Sequence, residues 1–138
     1  MIVLDTNVLS AIMKPEFNAP AIEWLNRQDQ DLLRMTVVSL EELAYGLCMM
    51  PDGRRRAALT AGLTALQAGP LGTRMLMLTT EAAHQSAIAR AAAVKAIGHC
   101  DVPDALIAGI ALANGASVAT RNVDHFKLFS VPIVDPWA

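Results

Sequence analysis

Three carboxylates, Asp5, Glu42 and Asp104, stand in separate parts of the chain, each beside an apolar stretch, and a polar triplet, Thr120-Arg121-Asn122, follows a fourth such stretch. Like charges gathered in one place are costly unless a cation neutralises them or some are protonated. A divalent cation is the natural occupant. Oxygen-only ligands favour magnesium or manganese over zinc, and magnesium keeps several waters while using one or two carboxylates directly. Such an ion orients a phosphate, stabilises charge at the attacked phosphorus and lowers the pKa of a bound water, which is the chemistry of metal-assisted phosphodiester hydrolysis. Each acid also has a structural reading: Asp5 can cap the helix after it, Glu42 can complete a capping box with Ser39, and Asp104 can favour a helix start through the dipole.

Positioning these groups requires elements that end near one another. Ile2 to Leu4 is β-prone, and Asp5-Thr6-Asn7 supplies turn and cap chemistry before a predicted helix over Val8 to Met13, stopped ahead of Lys14-Pro15. A second helix is expected over Pro20 to Arg27. Arg34 to Val38 reads as a strand, Ser39 as the start of a helix carrying Leu40, Leu43 and Leu47, and Arg54 to Leu66 as an amphipathic helix. Arg74 to Leu78 is a third strand candidate. It is followed from Thr80 by an Ala-rich helix that Gly98 closes, then by an inner helix over Pro103 to Asn114. Ser117 to Thr120 and Val131 to Val134 complete the strands. Strands separated by helices cannot pair as hairpins, so the expected fold is α/β, a three-layer α/β/α sandwich with a mostly parallel central sheet. Ligands of such sheets bind beyond the C-terminal strand ends, near the point where strand order reverses, and that is where the three acids fall.

Composition agrees with one domain over residues 1–138. The chain is 54% hydrophobic and 17% charged, with a mean hydropathy of +0.37, so it can bury a core and lacks the profile of a disordered segment. A net charge of −2 and a pI near 5.8 exclude the diffuse basic surface of sequence-independent duplex binders, so any nucleic-acid contact is local. The N-terminus reaches Asp5 without a secretory apolar stretch, and the longest apolar run, Ala105 to Ala113, is shorter than the roughly 20 residues that span a bilayer. A soluble, cytoplasmic chain with no membrane partner is expected. Cys48 and Cys100 are too few for a disulfide framework and read as reduced, buried hydrophobes.

Four segments together carry a family likeness. Met1 to Asn7 (MIVLDTN), Glu42 to Gly46 (ELAYG), Pro103 to Ala108 (PDALIA) and Ala119 to Asn122 (ATRN) resemble the four motifs of PIN-domain ribonucleases, and Asp135-Pro136-Trp137 is similar to the ending of the FitB-like branch of VapC toxins. The likeness covers essentially the whole chain. It implies a PIN-like fold and a Mg²⁺- or Mn²⁺-dependent endoribonuclease acting as the toxin of a type II toxin–antitoxin pair. Asp5, Glu42 and Asp104 would form the metal site, with Thr120 and Asn122 completing the catalytic lining. RNA as substrate, a homodimer, and a cognate antitoxin carrying a DNA-binding segment follow from the same resemblance. This chain departs in one place: family members often have a fourth acid where Asn122 stands, which favours one firmly held metal, and Asp124, two residues on, reads equally as a substitute or as a solvated loop residue.

Other residues read more simply. His84, His99 and His125 are too scattered for a metal set, and Ser39 lacks the Gly-x-Ser-x-Gly surroundings of a hydrolase nucleophile. Arg54-Arg55-Arg56 can grip RNA or antitoxin but reads first as a solvated helix start. Arg121 can pair with phosphate or with a carboxylate. Met49-Met50, Met75 and Met77 read as core packing, and Trp24 and Trp137 as packing or dimer anchors. Two alternatives compete with the nuclease: a catalytically weak module that binds antitoxin or RNA without cleaving, and a phosphatase using Asp5 as nucleophile. The second is weakened by Asn7, which occupies the place where haloacid-dehalogenase-like chemistry wants a second Asp.

Overall fold

The computed structural model describes residues 1–138. Its strands are short and all parallel: β1 (Ile2–Leu4), β2 (Leu33–Arg34), β3 (Ser117–Ala119) and β4 (Ile133–Val134), in the order β2-β1-β3-β4. Ile2, Val3 and Leu4 lie opposite Ser117, Val118 and Ala119. The helices are α1 (Thr6–Met13), α2 (Ala19–Asn26), α3 (Val37–Met49), α4 (Arg54–Ala68), α5 (Pro70–Thr73), α6 (Thr80–Ile97), α7 (Val102–Ala113) and α8 (Val123–Phe126).

Alternation along the strands builds two cores. Val3 and Val118 point to one face, where they meet Ala89 and Ala93 of α6, Ala105, Ile107 and Ala108 of α7, and Phe126 and Phe129. Leu4 and Ala119 point to the other, onto Val8 and Leu9 of α1, Leu25 of α2, Leu33 and Met35. Helices thus cover both faces of a parallel sheet, the expected α/β/α arrangement. The small residues of α6 and α7 let these helices pack closely: a Cβ on Gly109 would lie 2.5 Å from the Ala82 carbonyl oxygen and 2.6 Å from the Ser86 nitrogen.

Several local expectations need correction. The segment Arg34–Val38 is not one strand: pairing with β1 stops at Arg34, and Thr36 caps α3 by accepting the Ser39 N–H on its hydroxyl at 3.1 Å. The predicted capping box is therefore absent, because the helix begins nearly one turn earlier and places Ser39 and Glu42 inside it. Arg74–Leu78 forms no strand. Its backbone pairs with the chain before α3 only around Leu76, with Leu76 N–H donating to Met35 O and Val37 N–H to Leu76 O, both at 2.9 Å. The bounds of the other expected helices lie within two residues of expectation, while α5 and α8 are short helices that were not expected, and Gly98 closes α6 at φ +84°, the left-handed conformation that a glycine cap permits. Cys48 is exposed rather than a buried hydrophobe, Cys100 is half-buried against the larger core, and Met49 and Met77 face solvent at 69% and 58% exposure. α3 and α4 leave one side bare, which the apolar spacing did not reveal.

No helix is long and apolar enough to cross a membrane.

Candidate active site

The strand order reverses beside β1: the chain passes from β1 to β2 on one flank and later to β3 on the other. That reversal opens a crevice at the C-terminal strand ends. Asp5 leaves β1 and Thr120 leaves β3 at adjacent positions, fixed by the Asp5 N–H donating to the Ala119 carbonyl at 2.9 Å.

Asp5 is 3% exposed. Its Oδ1 accepts the Thr6 N–H at 2.8 Å, and its Oδ2 accepts the Thr120 hydroxyl at 2.7 Å and the Asn7 amide at 3.1 Å. Thr120 is fully buried, and its hydroxyl also accepts the Asn122 N–H at 2.9 Å, so the turn after β3 is tied to the turn after β1 through one hydroxyl. Asp5 does cap α1, as its structural reading foresaw, while its carboxylate faces the other acids.

Glu42 comes from α3. Its Oε1 accepts the Thr6 hydroxyl at 2.7 Å, and Ser39 Oγ, wholly buried one turn earlier, lies 2.9 Å from the same hydroxyl. Asp104 comes from the first turn of α7, a helix capped by Asp101, whose Oδ1 accepts the Asp104 N–H at 3.1 Å. The Oδ2 of Asp104 accepts the Asn122 amide at 3.1 Å and lies 2.9 Å from His125 Nδ1.

The three predicted acids are thus drawn to one place together with Thr120 and Asn122. Burial is the largest influence on all three and pushes their carboxyls upward, Asp5 to about 6. The acids then repel one another: Asp104 raises Asp5, Asp5 raises Glu42, and Glu42 raises Asp104. No lysine or arginine forms an ion pair with any of them. Glu42 Oε2 and Asp104 Oδ1 receive no hydrogen bond. Oxygen-only donors with uncompensated charge suit a hard divalent cation. No three His, Cys, Asp or Glu side chains are grouped so as to ligate one ion together, a layout that fits a hydrated ion held directly by one or two carboxylates rather than a closed protein cage.

Cavities flank the cluster. One, of about 640 Å³, is lined by His99, Cys100, Asp101, Asn122, Asp124 and His125 among others, and a second, of about 330 Å³, includes Thr6, Glu42 and Leu43. Asp124 is exposed, lines the first cavity and makes no hydrogen bond to the acids. Arg121 pairs with no carboxylate: its guanidinium stacks over Trp137, 5.0 Å from the ring centroid. Of the arginine triplet, Arg56 is engaged locally with Asp52 at 3.0 Å.

Thr6, Ser39 and His125 belong to the site and were not singled out for it by sequence reasoning. The signal for His125 was its i, i+3 spacing from Asn122 across one short turn. Thr6 and Ser39 gave no signal, because their meeting depends on how α1 crosses α3.

The parallel sheet with helices on both faces and an acidic crevice at its switch point is the setting of a PIN domain, and the PIN-domain family model matches residues 2–130. The chain belongs to that family. It is 34% identical over 140 residues to the VapC ribonuclease Y4jK of Sinorhizobium fredii, covering 99% of this chain and 98% of that one. It is 33% identical over 139 residues to the plasmid stability protein StbB of Pseudomonas syringae pv. tomato, covering 99% of both. Among solved structures, FitAcB from Neisseria gonorrhoeae superposes with a TM-score of 0.85 at 28% identity over 99% of each chain.

Proposed function

We propose that this protein is a metal-dependent endoribonuclease, the toxin of a type II toxin–antitoxin pair, which hydrolyses RNA phosphodiester bonds with Mg²⁺ or Mn²⁺ held in the crevice of Asp5, Glu42 and Asp104, one or two of these carboxylates ligating it directly and the rest acting through its bound waters. The observation that carries this reading is the meeting of three carboxylates from β1, α3 and α7 with no lysine or arginine to neutralise them. When bound, the ion supplies Lewis-acid polarisation of a phosphate and activation of a water. The chain's own groups do the positioning. Thr120 and the Thr6 N–H hold Asp5 in one orientation, the Thr6 hydroxyl holds Glu42, and Asn122 holds Asp104. Kinship with a VapC ribonuclease supports the RNA substrate, and likeness to FitAcB and kinship with the FitB toxin support toxin action under a cognate antitoxin. The proposed active form is a homodimer in the cytoplasm.

Purified protein is expected to cleave RNA with Mg²⁺ or Mn²⁺, and Asp5→Asn or Asp104→Asn to abolish cleavage while far-UV circular dichroism is retained. Undiminished cleavage in excess chelator, or by both variants, refutes the mechanism. One observation favours a second reading, a module that binds antitoxin or RNA without cutting: Asn122 brings a donor to Asp104 where a fourth acid would bring charge. Calorimetry with Mn²⁺ separates the two. The nuclease requires measurable binding that is lost in Asp5→Asn.

A further inference from the structure

Asp104 is held by more than its own helix. Two nitrogens approach its Oδ2, Asn122 Nδ2 at 3.1 Å and His125 Nδ1 at 2.9 Å, while Oδ1 receives neither. On the far side of the imidazole, the Asp101 N–H points at His125 Nε2 at 3.5 Å. A carboxylate oxygen accepts, so the 2.9 Å approach puts the ring proton on Nδ1, directed at Asp104, and the longer approach of the Asp101 N–H agrees with an accepting Nε2. The 3.3 Å approach of Asn122 Nδ2 to His125 Nδ1 is then a meeting of two donors that share one acceptor, not a bond between them. Packing fixes the ring: its centroid lies 5.0 Å from that of Phe129 and 6.5 Å from that of Phe126, both buried. The imidazole and carboxylate are only 14% and 13% exposed, so water competes little for the bond.

Resting on the nuclease reading above, we propose that His125 is a positioning residue. Together with Asn122 it saturates one oxygen of Asp104 and leaves the other for a single divalent cation. Hydrogen-bonded partners behind a ligating carboxylate fix its orientation, and losing one typically weakens metal affinity by about 10–100-fold. The Asn122 departure fits the same scheme. Where a fourth acid would offer a further negative ligand, this chain places a donor that commits Asp104 instead.

Mn²⁺ titration by calorimetry, on the wild type, His125→Phe and His125→Asn, tests the assignment. His125→Phe keeps a ring against Phe126 and Phe129 but removes the donor, whereas the Asn amide nitrogen can occupy the place of Nδ1. The Kd for Mn²⁺ is expected to rise about 10–100-fold in His125→Phe and to stay within about threefold of wild type in His125→Asn. Equal Kd values for the wild type and His125→Phe overturn the proposal and leave the nuclease reading standing. A wild type that binds no Mn²⁺ sinks both. A measurement on the wild type needs no variant to fold: long-range ¹H–¹⁵N correlation of the His125 ring is expected to show the Nδ1–H tautomer, and an Nε2–H tautomer overturns the assignment.

Discussion

Asp5 surrenders nearly all its hydration, and its hydrogen bonds from Thr120 and Thr6 recover only part of the loss, so its carboxyl titrates near 6 instead of 3.8. An acid whose pKa is higher folded than unfolded binds protons more tightly in the native state. Its contribution to stability is complete below the unfolded pKa and disappears as pH rises through the folded one. A shift of about two units is worth about 3 kcal/mol, and Glu42 and Asp104 are displaced in the same direction. In chelator, wild-type Tm should therefore fall relative to Asp5→Asn between pH 4 and 7, and Mn²⁺ should restore it. A wild-type-minus-variant difference that stays flat across that range contradicts the account. Thr120→Val removes a buried hydroxyl that donates to Asp5 and accepts from Asn122. We expect a loss of about 1–3 kcal/mol and a further rise of the Asp5 pKa, read by carboxyl NMR titration. At this scale the acids were legible because each sits beside a strand end or in the first turns of a helix. His125 was hidden because the histidines were weighed as a ligand set, whereas this one approaches a carboxylate as a hydrogen-bond partner.

α7 carries Asp104 and lies tight against α6 because Gly109 has no side chain. Gly109→Ala must push the helices apart against backbone atoms. Overpacking of this kind costs typically about 1–3 kcal/mol, so thermal melts should show a lower Tm, and Mn²⁺ affinity should fall as Asp104 shifts with its helix. A Tm equal to wild type would show that the helix pair yields freely. Helices were easier to read than strands here. α6 announced itself through its composition and the Gly98 stop, and α7 through its unbroken apolar run. β2 and β4 are two residues each, too short for period-two alternation to register, and the short apolar run Met75–Leu78 mimicked a strand where only Leu76 pairs. At α3, Ser39 and Thr36 were both competent caps. The choice of Thr36 depends on the chain after β2 pairing with Leu76, a contact that no local pattern encodes.

The layered α/β class followed from strands separated by helices, but the order β2-β1-β3-β4 could not, because it is set by which faces the helices bury. That order puts β1 in the middle and makes β3 its partner, joining Asp5 to Thr120 across 115 positions of sequence. A truncated chain of residues 1–116 retains Asp5, Glu42 and Asp104 but lacks β3, β4 and the aromatic residues that close one core. It should bind no Mn²⁺ and melt without a cooperative transition, and a saturable Mn²⁺ isotherm from it would show that the acids assemble unaided.

The long span between Asp5 and Thr120 bears on the moment of synthesis. While a ribosome is still making this polypeptide, the cleft that would cut RNA lacks one wall until β3 clears the exit tunnel. On the proposed activity, the translating machinery is shielded from its own product until that strand emerges.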